Sequence, residues 1–128
     1  MSASSRKKAS LAGKALASGG KLREAIEVYK TLIEDFPQEQ AFHQYAGIAY
    51  SYLGQYDLAI RELERAVAIR TTPVGYFNLA VACEKSGRRE DAVKYFKLYL
   101  DNSGGESERN VALARAELER LEKQSPGE

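Results

Sequence analysis

Chemistry at neutral pH draws on histidine, cysteine, paired carboxylates or phosphate-cradling glycines, and this chain offers each of them thinly. His43 is its one histidine, which excludes a multi-histidine metal site and argues against a histidine-based triad. Cys83 is its one cysteine, so no internal disulfide forms, and the residue reads as a small, inert hydrophobe. The glycine pairs Gly19-Gly20 and Gly104-Gly105 follow helical stretches, with no strand before them. A phosphate loop needs that strand. The carboxylates Glu62 and Glu64, and Glu117, Glu119 and Glu122, are spaced as solvated helical faces. No enzyme is expected, and no cofactor or metal.

Binding remains, and the charge pattern bears on it. Residues 1–23 carry Arg6, Lys7, Lys8, Lys14, Lys21 and Arg23 with no acid, while the whole chain nets only +1. The basic end could touch phosphates. It interleaves no aromatic residue with its cations, so no nucleic-acid partner is expected. A Ser- and Ala-rich, acid-free start also fits a transit peptide, and the repeat described next favours a first helix instead. No apolar run approaches the roughly 18 residues that cross a bilayer. With one cysteine and no secretory h-region, the expected compartment is the cytoplasm.

The elements that would position a binding surface are legible as a repeat. Three segments match: Arg23-Glu-Ala-Ile-Glu-Val-Tyr29, Asp57-Leu-Ala-Ile-Arg-Glu-Leu63 and Glu90-Asp-Ala-Val-Lys-Tyr-Phe96. Their alanines, Ala25, Ala59 and Ala92, lie 34 and 33 residues apart, each five residues after Gly20, Gly54 or Gly87. Small residues recur earlier in each unit, at Gly13, Gly47 and Ala80. Each unit then reads as two amphipathic helices joined by a turn in which Gly20, Gly54 or Gly87 takes a positive φ. In the second unit Ala46, Ala49, Tyr50 and Leu53 make the apolar stripe of the first helix, and Leu58, Ala59, Leu63, Ala66 and Val67 that of the second. Thr72 before Pro73 reads as a helix start.

This pattern resembles the tetratricopeptide repeat family, whose unit runs W-x2-L-G-x2-Y, then A-x3-F, then P. The second unit has His43-x2-Ala46-Gly47-x2-Tyr50 and Ala59-x3-Leu63; the third has Tyr76-x2-Leu79-Ala80-x2-Cys83 and Ala92-x3-Phe96. The first has Ala9-x2-Ala12-Gly13-x2-Leu16, then Ala25-x3-Tyr29 and Pro37. No unit keeps the tryptophan. The resemblance implies an all-α, right-handed superhelical stack of antiparallel helix pairs, with His43 half-buried where the family has its tryptophan. The expected boundaries are a disordered 1–5, repeats at 6–38, 39–72 and 73–105, a capping helix at 106–124 and a disordered 125–128. In the cap, Val111, Ala114, Leu118 and Leu121 would cover the exposed end of the last repeat.

In the resembled family the first helix of each pair lines a concave groove that binds peptides. By position, the lining here is Lys7, Ser10 and Lys14, then Gln44, Tyr45, Ile48 and Tyr52, then Phe77, Asn78, Val81 and Lys85. None of these is needed for the stripe between paired helices. The family's clamp for a C-terminal carboxylate (lysine, two asparagines, lysine, arginine) is missing: its positions hold Ser10, Lys14, Tyr45, Val74 and Asn78. The expected function is therefore an adaptor or scaffold that holds an extended or helical segment of another protein, acidic and apolar in character. The alternative is self-association into a homodimer. No membrane partner is expected.

Overall fold

The computed structural model describes residues 1–124, and the expected disordered tail at 125–128 lies outside them. The described residues form seven helices: α1 (Ala3–Ser18), α2 (Leu22–Asp35), α3 (Gln40–Tyr52), α4 (Tyr56–Ile69), α5 (Pro73–Lys85), α6 (Arg89–Asp101) and α7 (Glu108–Lys123). No strand occurs among them. No described helix is long and apolar enough to cross a membrane. The chain divides into two compact units, residues 1–70 with α1–α4 and residues from Thr71 onward with α5–α7.

In unit 1, α1 packs on α2, α2 on α3 and α3 on α4. The first helix starts at Ala3, where the Ser2 hydroxyl accepts from the Ser5 amide at 3.1 Å and caps it. The same helix ends one residue earlier than the glycine spacing suggests. Gly19, not Gly20, takes the left-handed conformation (φ 70°), since only the residue that stops α1 must turn out of it. Ala25, Ile26, Tyr29 and Leu32 recur at helical spacing on the buried face of α2. They meet Phe42, Ala46, Ala49 and Tyr50 of α3. On α4 the buried residues are Ala59, Ile60, Leu63 and Ala66. Leu58, expected on that stripe, is exposed instead, and Ile60 takes the inner place.

Gly47 sets how closely α3 and α4 approach. A Cβ there would lie 2.6 Å from Leu63 Cγ and 3.2 Å from the Ala59 carbonyl oxygen. No side chain fits that gap.

In unit 2, α5 packs on α6 and α6 on α7. Thr72 caps α5 by accepting from the Gly75 amide at 3.1 Å, with Pro73 in the first turn. Leu79, Ala80, Ala82 and Cys83 face Ala92, Phe96 and Tyr99 as the buried residues of the two helices. Ser107 caps α7 through the Asn110 amide at 3.2 Å. Only Ala114 and Leu121 of α7 are fully buried, so polar ties share the work of holding it. Arg89 of α6 donates to the carbonyls of Leu121 and Gln124 at the end of α7. Arg120 reaches Glu84 of α5 at 2.8 Å and Glu117 at 2.6 Å. Glu117 is thus part of a charged cluster, not of the solvated face expected for it. Burial and the neighbouring Glu117 raise the Glu84 carboxyl, while the Arg120 hydrogen bond lowers that of Glu117.

Candidate peptide-docking surfaces

Each unit presents the outward face of its own first helices, and these faces are built from helical spacing. On α1, Lys7 and Lys14 are two turns apart and exposed. Leu11 stands between them on the same face, 55% exposed; sequence reasoning missed it, although its i+4 and i−3 relation to the lysines carried the signal. On α3, Tyr45 and Tyr52 repeat at the same seven-residue interval, 42% and 67% exposed. Ile48 and Gln44 are half-buried beside them, and Gln44 accepts a hydrogen bond from Gln40.

Tyr45 is exposed on one side only. Its ring lies 5.8 Å from that of Tyr29, tilted by 34°, and Tyr29 is buried with no hydrogen-bond partner for its hydroxyl. Burial, with a smaller contribution from Tyr45, pushes the Tyr29 phenol up to about 12. A rigid buried ring thus backs an exposed one, which fixes Tyr45 at little cost in side-chain entropy.

In unit 2 the expected lining residues divide. Phe77 is half-buried and meets Phe96 edge-on at 6.0 Å and Tyr99 at 5.1 Å. It is therefore part of the α5–α6 packing, contrary to the expectation that no groove residue was needed there. The reason is that α6 supplies two large rings on the side of α5 where Phe77 projects. Asn78 and Val81 are half-buried, and Lys85 is exposed. The Asn78 side-chain nitrogen is buried without a hydrogen-bond partner, an unmet donor on this surface. Val74 is 43% exposed.

His43 has a structural place, deeper than expected. It is 2% exposed, with Nδ1 at 2.8 Å from the Glu62 carboxylate and Nε2 at 2.8 Å from the Pro37 carbonyl. Glu62, read as solvated, faces this ring. Cys83 is buried. Among the described residues, no three His, Cys, Asp or Glu side chains converge as a metal site would need.

Two sequence profiles described as tetratricopeptide repeat match residues 45–107 and 11–39. The chain belongs to the tetratricopeptide repeat family. A curated relative, the small glutamine-rich tetratricopeptide repeat-containing protein 2 of Saccharomyces cerevisiae, is 31% identical over 81 residues, which cover 62% of this chain. The match spans only 23% of that relative's length. Among solved structures, the type III secretion chaperone SycD of Yersinia enterocolitica, in complex with a peptide of the translocator YopD, superposes with a TM-score of 0.88. That match has 22% identity and covers 95% of each chain. The first repeat domain of Spaghetti (RPAP3), bound to the HSP90 peptide SRMEEVD, gives a TM-score of 0.81 at 20% identity, over 93% of this chain and 90% of that one. These likenesses establish an all-α tetratricopeptide-repeat fold.

Proposed function

We propose that this tetratricopeptide-repeat chain is a docking module that holds a segment of another protein on the outward faces of its first helices. Lys7, Leu11 and Lys14 of α1, with Tyr45, Ile48 and Tyr52 of α3, form the binding surface of unit 1; Phe77, Asn78, Val81 and Lys85 of α5 serve in unit 2. One observation carries the reading. Tyr45 and Tyr52 stand two turns apart on α3 and remain 42% and 67% exposed, although the neighbouring aromatic ring Tyr29 is buried. Exposed aromatics backed by a rigid core are the anchors of protein interfaces. The peptide complexes of SycD and of Spaghetti support the same class of function. The unpaired lysines favour an acidic segment with apolar side chains, and burying one tyrosine contributes about 1.5–3 kcal/mol.

The test is capture of partners from the source cell by the wild-type chain and by a Tyr45→Ala, Tyr52→Ala variant. Loss of a captured protein, with helical circular dichroism unchanged, supports the surface. Equal capture by both proteins rules it out. Self-association is the competing outcome: a concentration-dependent dimer that the same pair of substitutions dissolves would replace docking as the use of these tyrosines.

A further inference from the structure

Unit 1 carries a second concave surface that uses none of the side chains proposed above. It opens where the first half of α2 meets the end of α3 and the first turn of α4. Arg23, Ile26 and Lys30 recur along one face of α2, Tyr50 and Leu53 come from the last turn of α3 and the residue after it, and Leu58 closes the far side from α4. The cavity is about 330 Å³. A second cleft of about 290 Å³ adjoins it, sharing Arg23 and Leu53 and adding Lys21 at its edge.

Ile26 and Tyr50 give a buried apolar floor, 5% and 8% exposed. Leu58 is a large apolar side chain left 37% exposed at the first turn of α4. Its neighbour Ile60, by contrast, is 2% exposed in the core of the unit. Each cleft by itself is near the roughly 300 Å³ lower end of small-ligand sites, enough for one bulky side chain.

Charge selects the occupant. Of the acids lining the two clefts, Glu27 is already paired with Lys30 at 3.4 Å, and Glu24 is the other. Lys21 and Arg23 hold no ion pair among the described residues. They end a stretch of 23 residues with six cations and no acid. We infer that this cleft docks a segment of another protein in which a large apolar side chain is flanked by carboxylates. The apolar side chain enters between Ile26, Leu53 and Leu58, and the carboxylates meet Lys21 and Arg23. A partner could then be held on two separate surfaces of one unit, which multiplies the two affinities through effective concentration.

The probe is a blocked hexapeptide of sequence Asp-Glu-Leu-Phe-Glu-Asp, titrated into the full chain with methyl resonances of Ile26, Leu53 and Leu58 followed by NMR. Saturable shifts of those three methyls are expected. Lys21→Glu with Arg23→Glu weakens them at least tenfold while circular dichroism is unchanged; both side chains are exposed. Tyr45→Ala with Tyr52→Ala leaves the three shifts intact, which separates this cleft from the first-helix surface. Shifts confined to α1 and to Tyr45 and Tyr52, or none at millimolar peptide, overturn the inference. So does equal binding of a peptide with lysines in place of the four acids. Shifts of the same methyls on concentrating the chain alone would give the cleft to a second copy instead.

Discussion

The imidazole of His43 meets the carboxylate of Glu62 at 2.8 Å across the α3–α4 pair, and its other nitrogen meets the Pro37 carbonyl at the same distance. The imidazole presents a ring nitrogen to each of these two oxygens. One buried side chain thereby ties together the start of α3, the middle of α4 and the turn after α2. A tryptophan at this position could donate to only one of them.

His43→Ala should therefore destabilise unit 1 by about 2–4 kcal/mol, through a core cavity and a half-buried carboxylate left without its donor. Glu62→Gln keeps the shape and should cost less, about 1 kcal/mol. Urea unfolding followed by circular dichroism reads both. A loss under roughly 0.5 kcal/mol for the alanine variant would deny the network any part in stability.

Gly47→Ala should destabilise as well, although alanine is the better helix former by about 1 kcal/mol. The added methyl would sit 2.6 Å from Leu63 Cγ and 3.2 Å from a carbonyl oxygen, and such overpacking costs about 1–3 kcal/mol. Leu63→Ala in the same chain should recover part of that loss, so the two substitutions are coupled in a double-mutant cycle. Additive effects would mean that α4 shifts away freely.

The Tyr29 hydroxyl gives a pH dependence whose sign follows from burial. Its folded value, about 12, lies above the ordinary 10 of an unfolded tyrosine. The neutral phenol is the form the fold prefers, so its contribution is complete below pH 10 and is lost as pH rises from 10 towards 12. Thermal melts across that range should lose stability more steeply in the wild type than in Tyr29→Phe. At pH 7 the phenylalanine variant should be as stable or up to about 1 kcal/mol more so, because a buried hydroxyl without a partner is removed. A marked loss at pH 7 would show that the hydroxyl has a partner.

Much of this was legible from spacing. Ala25, Ala59 and Ala92 mark the close contacts of three helix pairs, and each is fully buried. Thr72-Pro73 and Ser107 mark helix starts, because a cap is a local device that three or four residues complete among themselves. Exposed positions on α3 followed in the same way, since Tyr45 and Tyr52 fall off the stripe that Ala46, Ala49 and Tyr50 define. The tetratricopeptide repeat itself is of this kind: periodic, local and repeated three times.

What periodicity could not carry is which neighbour answers each residue. Glu62 and Glu117 look like wet carboxylates along their own helices, yet one faces His43 from 19 residues away and the other shares Arg120 with Glu84. Phe77 lies off the expected stripe of α5, yet Phe96 and Tyr99 close on it from α6. The order of residues along the chain determined the seven helices of the described residues, their pairing and their apolar faces, because those depend on 3.6-residue geometry. The partners of its polar and aromatic side chains were decided only by how one helix is set against the next, a relation between residues that sequence distance does not encode.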